Sequence, residues 1–128
     1  MYKAKKGEGA YKNNEKLPLY INKEVDKKLI VVASKSHLSI ETQNFIDNLK
    51  TETIEQVSKG SSLKLCMVAT GEADIYPRLA PTMEWDTAAA DAIVRESGKL
   101  IYRFDDNQTI TYNKKDLLNP WFIVSSNK

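Results

Sequence analysis

Residues 60–64 read GSSLK and combine three kinds of group that bind phosphate. Ser61 and Ser62 suit the start of a helix, where backbone N–H groups are exposed, and Lys64 adds an ammonium group nearby. The GxxxxGK[ST] pattern of a phosphate-binding P-loop is absent. The pentapeptide on its own therefore fits an ordinary capped helix as well as an anion site.

Two further segments place charged side chains where they could bind a ligand. Arg78, in IYPRLAP, follows a strand-like segment and lies between Pro77 and Pro81. A loop arginine held in this way can bind phosphate through two N–H groups, although most loop arginines only face solvent. In EWDTAAAD, residues 84–91, Asp86 comes just before three alanines. It could cap a helix or hold a cation such as a metal ion, and the motif alone favours the cap.

His37 is the only histidine and Cys66 the only cysteine, which narrows the possible chemistry. With no second histidine and no cysteine close to His37, the sequence does not predict a zinc site. It also lacks the G-x-S-x-G elbow of serine hydrolases. A single cysteine excludes an internal disulfide, and Cys66 in LKLCMVA fits a small buried residue.

The composition is that of an ordinary globular protein. The chain has 128 residues, of which 41% are hydrophobic and 28% charged, enough for one compact domain or part of a larger protein. A net charge of +2 is too small to argue for nucleic-acid binding. No apolar run approaches the roughly 20 residues of a membrane span, and no signal peptide is evident. We expect a reducing, cytoplasmic setting, with peripheral contact to the inner membrane left open.

The elements that must position these side chains alternate between strands and helices. Residues 1–14 predict a β-hairpin turning at Gly7–Gly9, with LPLYI, residues 17–21, as a candidate third strand. Further strands are predicted at residues 29–34, 53–58, 73–77, 99–104, 109–112 and 121–126, and helices at 39–50, 61–71 and 85–98. This alternation indicates an α/β sheet covered on both faces. We therefore expect the SKSH segment, the GSS turn and the Asp86 end to form one ligand-binding edge.

The order of the motifs along the chain carries more information than any single motif. S-x-S-H, G-S-x-x-K, Y-x-R, W-D-x-A-A and L-N-P-x-F follow one another in a way that resembles the C-terminal half of the inositol monophosphatase family. Within that family, nearly the whole sequence is similar to the bacterial 3'(2'),5'-bisphosphate nucleotidases of sulfur assimilation. The resemblance implies a mixed sheet with helices on both faces, preceded by an edge β-hairpin. Residues 1–25 would then belong with a missing N-terminal half, and residues 26–128 would form the substrate-side α/β domain.

The resemblance also implies an activity, a cofactor and a set of site residues. Enzymes of this kind remove the 3'-phosphate of adenosine 3',5'-bisphosphate with Mg²⁺. Asp86 would be the metal-binding carboxylate of the W-D motif, with Trp85 packed beside it. The substrate-binding residues would be His37, Ser61, Lys64 and Arg78. Of these, the serine, the lysine and the arginine would receive the other phosphate of the nucleotide.

The sequence departs from the family pattern in two places. Ala90 and Asp91 stand where the family often has glycine and a small or polar residue, while the upstream glutamate pair and the D-P-[LI]-D-G-T motif are missing. Because a metal-dependent phosphatase needs several carboxylates, we expect this chain alone to be inactive. An N-terminal half or self-association could complete it. Inositol monophosphatase activity and a non-catalytic nucleotide-binding or scaffolding role are the alternatives.

Overall fold

A computed structural model describes residues 1–18, 30–34, 39–49, 54–57 and 61–125, without the side chains of Ser34, residues 54–57, Ser61 and Ser62. The elements in these ranges are β1 (Tyr2–Lys5), β2 (Gly9–Lys12), β3 (Glu15–Lys16), β4 (Val31–Ser34), α1 (Ile40–Asn48), β5 (Ile54–Val57), α2 (Ser61–Thr70), β6 (Ile75–Arg78), α3 (Glu84–Glu96), β7 (Leu100–Arg103) and β8 (Phe122–Ser125). No helix in these ranges is long and apolar enough to cross a membrane.

The larger sheet is mixed and has the strand order β5-β4-β6-β8-β7. Strand β4 pairs in parallel with both β5 and β6, whereas β8 runs antiparallel to β6 and β7. The carboxyl ends of β4, β5 and β6 therefore point to the same edge of the sheet. Phe122, the first residue of β8, lies opposite Arg78, the last residue of β6, at that edge.

Helices cover both faces of this sheet, as the alternation of elements predicts. On one face Val31, Ala33 and Ile75 pack with Ile46 of α1. On the other face the core contains residues of the sheet together with α2 and α3, namely Val32, Tyr76, Phe122, Val124, Leu65, Val68 and Val94. Successive strand side chains point to opposite faces, so the apolar run 31–33 is buried throughout. The predicted fold class is confirmed.

Local sequence signals explain where the helices begin and end. The Ser39 hydroxyl accepts a hydrogen bond from the Thr42 amide at 3.1 Å, which caps α1 as predicted. Helices α2 and α3 are followed by Gly71 and Gly98, whose φ angles of 92° and 88° lie in the left-handed region that glycine adopts without strain.

Two predicted strands differ in the structure. Residues 109–112 form only an isolated bridge, between Tyr102 and Thr109. Other polar groups of this segment form hydrogen bonds with α3 and not with a neighbouring strand. The Ile110 carbonyl accepts a hydrogen bond from Arg95, and the Tyr112 hydroxyl contacts Thr87. The third strand of the smaller sheet is β3, which precedes the predicted segment 17–21. Residues 19–21 lie outside the described ranges.

The N-terminal hairpin packs on α3. The Glu96 carboxylate, near the end of α3, accepts hydrogen bonds from the amides of Gly7 and Gly9 at 3.1 and 2.9 Å. Ala10 of β2 is fully buried in the core that contains α2 and α3. The domain boundary between residues 25 and 26 stays a prediction.

Candidate active site

The loops that carry the predicted site residues start from one edge of the larger sheet. Arg78 ends β6, and β4 ends at Ser34, just before the segment that contains His37. Strand β5 leads towards Ser61, the first residue of α2. His37 itself lies outside the described residues, as does the side chain of Ser61. The structure thus brings the backbone ends together at one edge, while the roles of His37 and Ser61 stay predictions.

Lys64 and Arg78 are two buried cations whose positive charges act on each other. Lys64 is only 1% exposed and Arg78 only 8%. The Lys64 ammonium lies 5.6 Å from the ring centroid of Tyr76, on the face of the sheet that α2 covers. Burial, followed by the positive charge of Arg78, lowers the pKa of Lys64. An anion bound between Lys64 and Arg78 would offset the repulsion between them, because it would stabilise both positive charges.

The guanidinium of Arg78 has hydrogen-bonding capacity left over. Its Nη2 donates to the Pro81 carbonyl at 3.4 Å, and its buried Nε has no hydrogen-bond partner among the residues that the structure describes. A buried N–H without a partner costs about 1–3 kcal/mol. An oxyanion would accept this hydrogen bond, so the arginine is well suited to bind a phosphate.

Asp86 lies in the first turn of α3 but is not the N-cap. The N-cap is Met83, and one Asp86 carboxylate oxygen accepts a hydrogen bond from its amide at 2.9 Å. The predicted capping position is therefore wrong by three residues, because α3 begins at Glu84. The carboxylate still satisfies an amide at the helix end, and the residue as a whole is exposed.

Trp85 is 67% exposed, so its expected packing is not found among the residues that the structure describes. Ala88, Ala89 and Ala92 are exposed too. Helix α3 begins at Glu84, and the apolar residues that it buries in the core are Ala90, Ile93 and Val94. Of the three successive alanines in this segment, only Ala90 faces the core.

Glu84 forms a buried ion pair that the sequence reasoning missed. Its carboxylate accepts hydrogen bonds from the Lys114 ammonium and from the amides of Asn113 and Lys114, the last two at 2.7 and 3.4 Å. The Lys114 hydrogen bond is the main cause of a lowered pKa for Glu84. An acidic residue at the first position of a helix was the available signal, but its partner lies 30 positions further along the chain.

Asn119, in the L-N-P motif, fixes the same helix end. Its Nδ2 group lies within hydrogen-bonding distance of Thr82 Oγ1 at 3.0 Å, the Met83 carbonyl at 2.9 Å and Thr87 Oγ1 at 2.9 Å. The Asn119 amide also donates to the Thr82 carbonyl at 2.9 Å. These contacts hold the Met83 peptide, whose amide in turn orients Asp86. The sequence contained this motif, but its spacing gave no indication of these partners.

The described residues do not fit a complete metal centre. Within the described ranges, no three His, Cys, Asp or Glu side chains lie together as a metal-binding group. Glu84, the nearest acid in sequence to Asp86 within α3, is occupied by Lys114. Because Mg²⁺ prefers several oxygen ligands, Asp86 fits only as one ligand of a shared site.

Comparison with known proteins finds chains similar to this one. Residues 1–128 match the model of the inositol monophosphatase family. The 3'(2'),5'-bisphosphate nucleotidase CysQ of Escherichia coli K12 is 38% identical over 96 residues, which are 75% of this chain and 38% of that protein. The CysQ of Aggregatibacter actinomycetemcomitans is 34% identical over 129 residues, 96% of this chain and 46% of that protein. The chain thus spans less than half the length of these curated relatives.

Solved structures show the same fold. The crystal structure of CysQ from Bacteroides thetaiotaomicron, described as a bacterial member of the inositol monophosphatase family, superposes with a TM-score of 0.85 at 42% identity. The match covers 99% of this chain and 54% of that one. Staphylococcal IMPase-II gives a TM-score of 0.77 at 20% identity, covering 98% of this chain and 46% of that chain, which supports the fold alone.

Proposed function

The chain belongs to the inositol monophosphatase family, and from this we propose that it is the substrate-side part of a metal-dependent 3'(2'),5'-bisphosphate nucleotidase. The proposed reaction is hydrolysis of the 3'-phosphate of adenosine 3',5'-bisphosphate. The observation that carries the proposal is the pair of buried cations, Lys64 and Arg78, whose positive charges act on each other. Relatives that are 34–39% identical to this chain are named 3'(2'),5'-bisphosphate nucleotidases, which supports the same substrate class.

The buried cations favour a substrate with two phosphates. A phosphate group carries up to two negative charges near neutral pH, which matches one lysine and one arginine. If Asp86 contributes to the metal site, the phosphate to be hydrolysed binds there, and Lys64 with Arg78 holds a second phosphate. Inositol monophosphate has no second phosphate to offer them. The cation pair therefore supports the nucleotidase over the inositol monophosphatase alternative.

Ser61 and His37 complete the proposed substrate site. Ser61 is the first residue of α2, where backbone N–H groups and the helix dipole favour an anion. Lys64 lies one turn further along the same helix, so one phosphate could contact both residues. We propose that His37, in the segment after β4, lines the nucleoside side of the site, as the resemblance implies.

Asp86 is the proposed metal ligand of this chain, and Mg²⁺ is the proposed ion. When bound, the metal supplies an activated water and positive charge at the phosphate. The chain's own contribution is to hold the carboxylate in place: the Met83 amide orients one oxygen, and Asn119 holds the Met83 carbonyl. The remaining ligands would come from a part of the enzyme that this sequence does not contain, so no turnover is expected from the chain alone.

The experiment uses a chimaera in which this chain replaces the matched part of the Bacteroides thetaiotaomicron relative. Phosphate release is measured with Mg²⁺ from adenosine 3',5'-bisphosphate and from inositol 1-phosphate. We expect the nucleotide to be the better substrate, and Asp86→Asn to abolish its turnover. Lys64→Met should raise KM for the nucleotide about tenfold or more, since a charged hydrogen bond contributes about 1.5–3 kcal/mol.

Lys115→Met is the matched control, because Lys115 is exposed. It should leave both kinetic constants unchanged. Preferred hydrolysis of inositol 1-phosphate, with no effect of Lys64→Met, would support the inositol monophosphatase alternative. Nucleotide binding without any hydrolysis would support a non-catalytic binding role.

A further inference from the structure

The hydroxyl of Thr87 lies at the centre of a group of hydrogen bonds at the start of α3. Thr87 is fully buried and follows Asp86 directly in the chain. Its Oγ1 donates to the Glu84 carbonyl at 3.4 Å and accepts from the Tyr112 hydroxyl at 3.3 Å. Asn119 Nδ2 lies 2.9 Å from the same oxygen. A threonine hydroxyl has one proton to donate and two lone pairs that accept, so these three partners use its full capacity.

The same asparagine holds the peptide unit that orients the Asp86 carboxylate. The amide of Asn119 donates to the Thr82 carbonyl at 2.9 Å. The N–H of that peptide unit belongs to Met83 and donates to Asp86 Oδ2 at 2.9 Å. The side chain of Asn119 adds contacts to Thr82 Oγ1 at 3.0 Å and to the Met83 carbonyl at 2.9 Å. The position of Asn119 therefore decides the direction of the Met83 N–H and, through it, the orientation of the carboxylate.

Tyr112 and its neighbours keep the Thr87 hydroxyl in a fixed place. Burial, followed by the hydrogen bond with Asp91, raises the pKa of Tyr112, so the phenol stays protonated near neutral pH. Asp91 is only 1% exposed, and Arg95 donates to its two carboxylate oxygens at 2.8 and 3.0 Å. Because these groups are buried and bound to each other, the Thr87 hydroxyl has little freedom to turn away from Asn119.

We propose that Thr87 is a positioning residue for Asp86: its hydroxyl fixes Asn119, and Asn119 fixes the peptide unit that orients the carboxylate. The role of Thr87 in catalysis rests on the proposed function, in which Asp86 binds the metal. Mg²⁺ requires nearly ideal ligand geometry, so a carboxylate that turns away from its position binds the ion less well. Groups that orient metal ligands from behind commonly change metal affinity by roughly tenfold to a hundredfold.

Thr87→Val removes the hydroxyl while keeping the shape of the side chain. Its methyl group would replace an oxygen that lies 2.9 Å from Asn119 Nδ2, and a carbon atom cannot approach a nitrogen so closely. The asparagine must therefore move. Thr87→Ser keeps the oxygen and should restore the behaviour of the parent. Thr70→Val is the matched control, because Thr70 at the end of α2 is also fully buried and donates to the Met67 carbonyl at 3.0 Å.

Hydrogen exchange of the Met83 amide in the isolated chain is the first readout, and it needs neither metal nor substrate. This amide should exchange at least about fivefold faster in Thr87→Val than in the parent, because its hydrogen bond to Asp86 is weakened. Thr87→Ser and Thr70→Val should stay within about twofold of the parent. Equal exchange in Thr87→Val and the parent, or a Met83 amide that is unprotected in the parent, would overturn the proposal.

The Mg²⁺ requirement of the chimaera described above is the second readout. The Mg²⁺ concentration that gives half-maximal phosphate release should rise at least about tenfold in Thr87→Val. It should stay within about twofold of the parent in Thr87→Ser and Thr70→Val. An unchanged requirement in Thr87→Val would show that Thr87 is merely structural. If the parent chimaera releases no phosphate, the proposed function fails, and the exchange of the Met83 amide alone decides whether Thr87 orients Asp86.

Discussion

Burial, and then the positive charge of the Arg78 guanidinium, lowers the pKa of the Lys64 ammonium, and both residues are buried. Two like charges in a buried place repel each other, and an anion bound near both would offset this repulsion. The stability of variants at these two positions, with and without phosphate, is therefore informative.

The first prediction concerns the stability of the free chain. Lys64→Met removes a buried charge and its repulsion by Arg78 while keeping a side chain of similar length. Because the loss of this repulsion offsets the loss of other contacts such as that with the Tyr76 ring, we expect the free energy of unfolding to stay within about 1 kcal/mol of the parent in urea titrations without phosphate. Lys115→Met, at an exposed position, should change it by less than about 0.5 kcal/mol. A marked loss of stability in Lys64→Met would show that this lysine is mainly structural.

The second prediction concerns the end of α3. Asn119→Ala removes the side-chain contacts to Thr82, Met83 and Thr87 inside a buried region. The expected cost is about 3 kcal/mol, because buried polar partners are left behind. Asn44→Ala serves as the control, since Asn44 is exposed on α1. Equal unfolding midpoints of the two variants in urea would contradict the role given to Asn119.

The third prediction concerns the pH dependence of the Glu84–Lys114 pair. The pKa of Glu84 is lowered from its ordinary value of 4.5, chiefly by the Lys114 hydrogen bond. A carboxyl group with a lower pKa in the folded state contributes stability above its unfolded pKa and loses it as the pH falls through the folded value.

The measurement for this pair is Tm against pH for the parent and Glu84→Gln. The Tm of the parent should exceed that of Glu84→Gln most clearly above about pH 5. The difference in Tm should become smaller towards about pH 3. Glu41→Gln, at an exposed position of α1, is the control and should show little pH-dependent difference. If the difference in Tm between the parent and Glu84→Gln instead grows as the pH falls, the ion pair with Lys114 is not its cause.

The fourth prediction concerns the thiol of Cys66. Burial raises its pKa to about 11, and the residue is only 5% exposed. Because the thiolate is the reactive form, a disulfide reagent at pH 8 should label the folded chain at least about a hundredfold more slowly than the chain in urea. Fast labelling of the folded chain, at the rate seen in urea, would show that α2 opens readily around this residue.

Sequence reasoning succeeded where the signal is local. The apolar run 31–33 reads as a buried strand because no other arrangement hides three successive apolar residues so easily. Ser39 caps α1 through an amide three residues away, and Gly71 follows the end of α2. In each of these cases the residues that decide the structure are close neighbours in the chain.

The same reasoning failed where a distant partner decides. Residues 109–112 have the composition of a strand, but Ile110 and Tyr112 contact Arg95 and Thr87 of α3. The N-cap of α3, Met83, accepts a hydrogen bond from Asn119, which lies 36 positions further along the chain. Motif order pointed to the edge of the sheet where Arg78 ends β6, although it could not reveal that Lys64 and Arg78 are both buried.

The most direct test is calorimetric titration of adenosine 3',5'-bisphosphate into the chain without metal, for the parent, Lys64→Met, Arg78→Met and the control Lys115→Met. Circular dichroism first checks that each variant is folded. We predict measurable, salt-sensitive binding by the parent and by Lys115→Met, and an affinity about tenfold lower or worse for the other two variants. Equal affinities for the parent, Lys64→Met and Arg78→Met would contradict the claim that this pair of buried cations holds a phosphate.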